Sequence, residues 1–210
     1  MDPRSLFPVR TDPGEPSTAD RIRDAALCCF AAHGASGTSL RAIAETAEVS
    51  IGLVQHHFGT KARLRAAVDE HVLRVVGDAV ASAPLPAPPR DALAELGHRV
   101  TSIMTGHPEV VGYLVRAMIE GEAVGSAVFD GLVAISAGQW DRLADHGLLA
   151  SDVDRTWAVL HPLVLVLGTA ILRPHLDRHL PEPLTDPAQL RRWDDAVAAL
   201  LSRGLLRGTD

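Results

Sequence analysis

Residues 50–61 read SIGLVQHHFGTK. His56 and His57 can ligate a metal or move a proton, and Gln55 offers both a donor and an acceptor. Gly52 leaves bare backbone in what looks like a first helical turn. Three chemistries compete for such a segment: a metal site, a catalytic base with its partner, or a surface shaped to fit another molecule. Neighbouring helical positions point about 100° apart, and neither histidine has a Cys, Asp or Glu three or four residues on, so no metal is expected here. The chain also lacks a Gly-x-Ser-x-Gly elbow, a Gly-x-x-x-x-Gly-Lys loop and a Gly-x-Gly-x-x-Gly fingerprint. No motif stands behind an enzyme, and no cofactor is expected.

A second histidine pair lies in PHLDRHL, where His175 and His179 are four apart with Asp177 between them. That spacing suits a metal on a helix, but the glutamate of an H-E-x-x-H motif is missing and Arg178 would repel a cation. Surface or dimer-edge histidines are the expectation, and no metal site.

The elements that carry these groups follow from composition. Aromatics are only 4% of the 210 residues while apolar residues reach 47%, so the core rests on Leu, Val and Ala. With no strand-length alternation, an all-α fold is expected. Cys28 and Cys29 are adjacent in an apolar helical stretch, which reads as reduced, small core residues in a reducing compartment. The first 18 residues lack the apolar core of a signal peptide. Trp157–Leu172 is the most apolar segment, yet it holds His161, Pro162 and Gly168 and falls short of a span. A buried helix and a cytoplasmic protein without a membrane partner are expected.

Punctuation divides the chain. Residues 1–17 read as a disordered arm, and 18–60 hold three short helices. In these, Thr18, then Thr38 or Ser39, then Ser50 are the candidate caps, and His33-Gly34 stops the first helix. Residues 61–82 form a connecting helix capped by Thr60, and 83–90 a proline-rich linker. Residues 91–210 form a helical second domain, with segments near 90–105, 108–121, 124–146, 152–179 and 187–206.

Two short helices joined by about three residues and followed by a long helix outline a helix-turn-helix. Ile43, Ala47, Val49, Val54 and Phe58 would form its small core. That leaves Ser50, Ile51, Gly52, Leu53, Gln55 and His56 on the outer face, with Gln55 suited to a base edge. Thr38, Ser39, Arg41 and Lys61 flank this face where phosphates would be held. The net charge of −6 speaks against nucleic acid, but residues 21–65 carry six basic against three acidic groups, leaving +3 there and −9 in the remainder.

The stretch TSLRAIAETAEVSIGLVQHHFGTKARL resembles the signature of TetR-type bacterial transcriptional regulators, through Thr-Ser-Leu-Arg, Ile-Ala, Val-Ser-x-Gly and His-Phe-x-x-Lys at fixed spacing. The resemblance covers residues 18–75. It implies a DNA-binding N-terminal domain that works as a dimer, joined by the fourth helix to a divergent ligand-binding and dimerisation domain. By the same resemblance Ser39 and Lys61 hold phosphates and Arg41 reaches a base or phosphate. Leu53, Gln55 and His56 face the groove, and His57 sits at the phosphate edge. Two departures stand out: Gln55 replaces a customary tyrosine, and Glu48 replaces the glycine usual at the turn. A Glu48 held at positive φ would carry strain of about 1 kcal/mol.

Beyond residue 90, the apolar helices at about 152–179 and 187–206 are expected to build a four-helix homodimer interface. Polar or aromatic groups inside apolar stretches, His98, Met104, Tyr113, Arg116, Trp140 and His161, are the candidates for an effector pocket. The expected function is a DNA-binding regulator, a repressor released from its operator by a small molecule. The alternative is a helical ligand-binding or scaffold protein whose helix-turn-helix docks a protein partner, with the negative net charge in its favour.

Overall fold

The computed structural model describes residues 16–81 and 89–205, which form nine helices and no strand. The arm expected at 1–17 lies outside the described residues save its last two. Most of the expected 83–90 linker lies outside them too, and Pro89 and Arg90 already belong to a helix. The chain divides into two compact units, 1–68 and 69–210.

The first unit holds α1 (Thr18–Gly37), α2 (Leu40–Thr46), α3 (Ile51–Phe58) and the start of α4 (Lys61–Ala81). Ser17, not Thr18, caps α1: its hydroxyl accepts from the Asp20 N–H at 3.1 Å while Asp20 accepts from the Ser17 N–H at 3.2 Å. This reciprocal box satisfies two otherwise orphaned donors. The Ser17 hydrogen bonds, aided by Arg23, hold the Asp20 carboxyl below its ordinary value. Gly34, at φ 73°, breaks the helical path where a stop was expected, and one more turn carries α1 to Gly37.

Ser39 and Ser50 cap α2 and α3 by accepting from the N–H groups of Ala42 and Leu53. Between them the chain turns on Glu48, whose φ is 56°. The Glu48 N–H donates to the Glu45 carbonyl and the Val49 N–H to Ala44, which closes α2 in a Schellman motif with glutamate where glycine is the rule. Ile22, Ala26 and Phe30 of α1 are buried with Ile43, Ala44, Ala47, Val54, Leu64 and Val68. Val49 and Phe58, expected in this core, are half-buried at its edge.

The second unit comprises the rest of α4, α5 (Pro89–Gly106), α6 (Pro108–Ile119), α7 (Ala123–Asp145), α8 (Arg155–Leu176) and α9 (Pro187–Leu205). Asp154 and Asp186 cap α8 and α9 through two N–H groups each. Gly125 lets α7 lie against the end of α6, for a Cβ there would meet the Ala117 carbonyl carbon at 2.8 Å. Trp140, Leu143 and Ala158 make a buried cluster between α7 and α8.

α8 differs from expectation in two ways. It ends at Leu176 with Asp177 as its cap, so His175 and His179 do not share one helix face. It also buries only Ala158, although it was expected to be covered on more than one side. Trp157, Val164 and Ile171, seven residues apart, are 51%, 56% and 37% exposed. Among the described residues α8 is the one helix long and apolar enough, by length and composition, to cross a membrane.

Candidate functional site

The face of α3 is set by its one buried side chain. Val54 is fully buried, and on a 3.6-residue helix positions 52 and 56 lie opposite it, with 55 at about 100° and 51 at about 60° from it. Ile51, Gly52, Gln55 and His56 are all exposed there, as two i, i+4 rows. Leu53 is half-buried at the edge of the strip beside His56, and His57, one turn on in the same row as Leu53, is exposed. The N-terminal end of α3 thus offers an apolar side chain at Ile51, a bare backbone at Gly52 and an amide at Gln55. An apolar contact meets a thymine methyl, and a side-chain amide pairs with adenine in the major groove.

The flanking groups divide. Ser39 is exposed, though its hydroxyl also caps α2. Arg41 is 82% exposed and pairs only with Glu45 at 3.2 Å, a surface contact that water weakens. Thr38 is corrected: its side chain is buried and its hydroxyl donates to the Gly34 carbonyl at 2.8 Å, with the Cys29 carbonyl at 3.2 Å. It secures the kink in α1 and offers no hydroxyl to a phosphate. Lys61 is half-buried, and its ammonium donates to the carbonyls of Ala35 (2.7 Å) and Thr38 (2.9 Å). Arg63, four residues beyond Gly59, is exposed and was not singled out in the sequence. Its position two residues beyond the motif lysine was the available signal.

Arg21 performs an analogous closing role, donating to the Ala47 carbonyl at 3.0 Å at the end of α2. The cysteines separate: Cys29 is buried with its sulfur 3.4 Å from the Thr46 hydroxyl, whereas Cys28, expected in the core, is exposed. Among the described residues no group of three or more His, Cys, Asp or Glu could hold a metal ion.

The second unit contains a cavity of about 170 Å³ with walls from α5 to α9 and Val76 of α4. Of the six side chains expected to line a pocket, Met104 and Trp140 do so. Tyr113 is corrected: it is buried, and its hydroxyl donates to the Asp69 carboxylate of α4 at 2.5 Å. Arg116 is paired with Glu120 along α6, and His161 is stacked on Trp157 at the exposed face of α8. Neither reaches the cavity. His98 is exposed beside it, close enough for its charge to act on Asp194.

Three polar groups not singled out from the sequence lie in the walls: Ser136, Gln139 and Asp194. Ser136 spends its hydroxyl on the Val159 carbonyl at 2.8 Å. Gln139 is 3% exposed and its Nε2 has no hydrogen-bond partner. Desolvation, helped by neighbouring Asp195 and opposed by His98, pushes the Asp194 carboxyl above its ordinary value. A polar residue in the apolar run before Trp140 was the signal for Gln139, and for Asp194 it was a place four residues after Leu190 and three before Val197, on the apolar stripe of α9.

Comparison with known proteins places the first unit directly. The family model described as bacterial regulatory proteins, tetR family, matches residues 22–68. The HTH-type transcriptional regulatory protein RaaS of Mycobacterium tuberculosis is 41% identical over 101 residues, 48% of this chain and 45% of that relative, so the chain matches less than half of its length. The HTH-type transcriptional repressor Rv3405c of the same species is 30% identical over 191 residues, covering 90% of this chain and 91% of the relative. A crystal structure of a TetR family transcriptional regulator from Chloroflexus aurantiacus superposes with a TM-score of 0.73 at 17% identity, over 93% of this chain and 96% of that one.

Proposed function

The chain belongs to the TetR family of bacterial helix-turn-helix transcriptional regulators, and on that premise we propose that it is a homodimeric repressor that reads its operator with α3 and releases it when a small molecule fills the second unit's cavity. The observation that carries the DNA-reading half is the outward strip of Ile51, Gly52, Gln55 and His56 on a helix anchored by buried Val54. Arg41, Ser39, Arg63 and the α3 N-terminus supply phosphate contacts around it. Lys61 acts chiefly by bracing the joint between α1 and α2.

Dimerisation has its own support. The seven-residue stripe of Trp157, Val164 and Ile171, joined by exposed Leu172 on α8 and Leu200 on α9, is an apolar surface of the kind that marks an interface. A second copy of the chain is the proposed cover. The pair then places two α3 helices about one duplex turn apart, ~34 Å, on a roughly palindromic site. Such a protein works in the cytoplasm, where the DNA is, and performs no catalytic step.

Release follows from differential affinity. A molecule that binds the cavity more tightly in the DNA-free arrangement shifts the population away from the operator, by no more than that difference in affinity. α4 belongs to both units and carries Leu64 in one and Val76 of the cavity wall in the other. It is the proposed path of the coupling.

The test is titration of the chain onto the duplex upstream of its own reading frame, at several salt concentrations and against scrambled competitor. Tight, salt-sensitive binding that survives competitor supports the reading. Absence of binding even at low salt sinks it.

A further inference from the structure

The reading of the cavity as an effector site leaves the ligand's chemistry open, and the lining narrows it. The cavity holds about 170 Å³, against roughly 150 Å³ for a protein cavity that takes up a benzene ring. Val100, Ile103, Met104, Leu163 and Trp140 are representative of walls that are almost wholly apolar. A ring-sized hydrocarbon body fits that space.

Besides Ser136, whose hydroxyl is taken by the Val159 carbonyl, two groups break the apolar lining, on different helices. Gln139 on α7 is buried to 3% exposure, and its Nε2 has no acceptor. A buried donor without a partner is costly, and an acceptor on a ligand relieves that cost. Asp194 on α9 lies over the bare Cα of Gly97 on α5, so closely that a Cβ there would overlap its Oδ1. The charges acting on Asp194 are the like charge of Asp195 and the opposing charge of His98. No salt bridge within ion-pair distance reaches it among the described residues.

We propose that this cavity binds a compact apolar amine: a ring-sized hydrocarbon body whose protonated nitrogen pairs with Asp194 and whose single hydrogen-bond acceptor meets Gln139 Nε2. The proposal rests on the effector reading only for its regulatory meaning. Charge selects the nitrogen, because a half-buried carboxylate rejects an anion and gains from a cation. The orphaned amide selects the acceptor, because a ligand without one leaves it unpaired.

The experiment is calorimetric titration of the full-length chain with four matched probes: 4-methoxybenzylamine, 4-ethylbenzylamine, 4-methoxybenzyl alcohol and 4-methoxybenzoate. 4-Methoxybenzylamine is expected to bind at least tenfold more tightly than the alcohol or the ethyl analogue, with the benzoate weakest. Asp194→Asn should erase the preference for amine over alcohol. Gln139→Met, which keeps the length and drops the amide, should erase the preference for methoxy over ethyl while the melting temperature holds. Equal or tighter binding of the benzoate, an amine preference that survives Asp194→Asn, or no binding by any probe overturns the proposal. Operator release separates the two ideas. Amine binding in the expected order without release sinks the effector reading and upholds the ligand class, whereas release by the benzoate does the reverse.

Discussion

The hydroxyl of Tyr113, on α6, donates to the Asp69 carboxylate, on α4, at 2.5 Å, and the phenol ring is almost completely buried. Within the second unit this contact fastens α4 to α6. Tyr113 was expected to meet a ligand; we propose that it acts instead through α4, in coupling. Tyr113→Phe removes the donor and keeps the ring, so the expected loss of stability is about 1 kcal/mol in urea unfolding. Effector affinity should hold while the effector-induced drop in operator affinity shrinks. An unchanged drop would deny the contact any part in coupling.

Glu48 occupies a left-handed conformation at the C-terminal end of α2. Such a conformation costs an L-residue roughly 1–2 kcal/mol, part of which glycine's extra freedom in the unfolded chain returns. Glu48→Gly is therefore expected to raise stability by about 0.5–1 kcal/mol, read from urea midpoints. Glu48→Ala removes the charge and leaves the strain. Equal stabilisation by both variants would place the effect in charge, not in the backbone.

Lys61 donates to two backbone carbonyls, and hydrogen bonds to charged groups contribute about 1.5–3 kcal/mol. Lys61→Met should lower the unfolding free energy of the first unit by about 2 kcal/mol. Arg63→Ala, by contrast, should leave stability alone and reduce the salt slope of DNA binding by about one phosphate contact. A Lys61 variant of undiminished stability would return that lysine to the phosphate role.

At Gly125 an added Cβ would fall 2.8 Å from backbone atoms of Ala117 and Met118, which have no flexible end to move aside. Overpacking of this kind costs about 1–3 kcal/mol. Gly125→Ala should show that loss by thermal or urea melting, while Gly131→Ala, where nothing lies within 4 Å, should not.

Asp194 holds its proton more tightly in the folded chain than in the unfolded one. Stability from this group is full below the unfolded value near 3.8 and is lost as pH rises through the higher folded value. Asp194→Asn should therefore be more stable than the parent at neutral pH and lose that advantage near pH 3. Asp20 runs the other way, with its contribution present above 3.8 and lost as acid protonates the capping box. Parallel pH profiles for parent and Asp194→Asn would contradict the assignment.

The sequence made the local devices legible. Ser39, Ser50 and Thr60 cap helices because a short oxygen side chain meets the N–H three residues on, a relation contained in four residues. The strain at Glu48 was legible through the resemblance, which puts glycine at that turn. The partners of Thr38 and Lys61 were not legible, because they are carbonyls at the α1 kink and Lys61 reaches back 26 residues to Ala35. In the second unit, periodicity located the helices but not their neighbours. His161 therefore faces outward on α8, whereas Gln139 and Asp194, hidden in apolar runs, line the cavity.

The central claim is that α3 reads base sequence through Gln55. The measurement that tests it most directly is equilibrium binding of the parent and Gln55→Ala to an operator and its full set of single-base substitutions, at one salt concentration. The expected result is a loss of about 1–3 kcal/mol of discrimination at one position per half-site, with other positions and the salt slope unchanged. Base preferences identical for parent and variant at every position would contradict it.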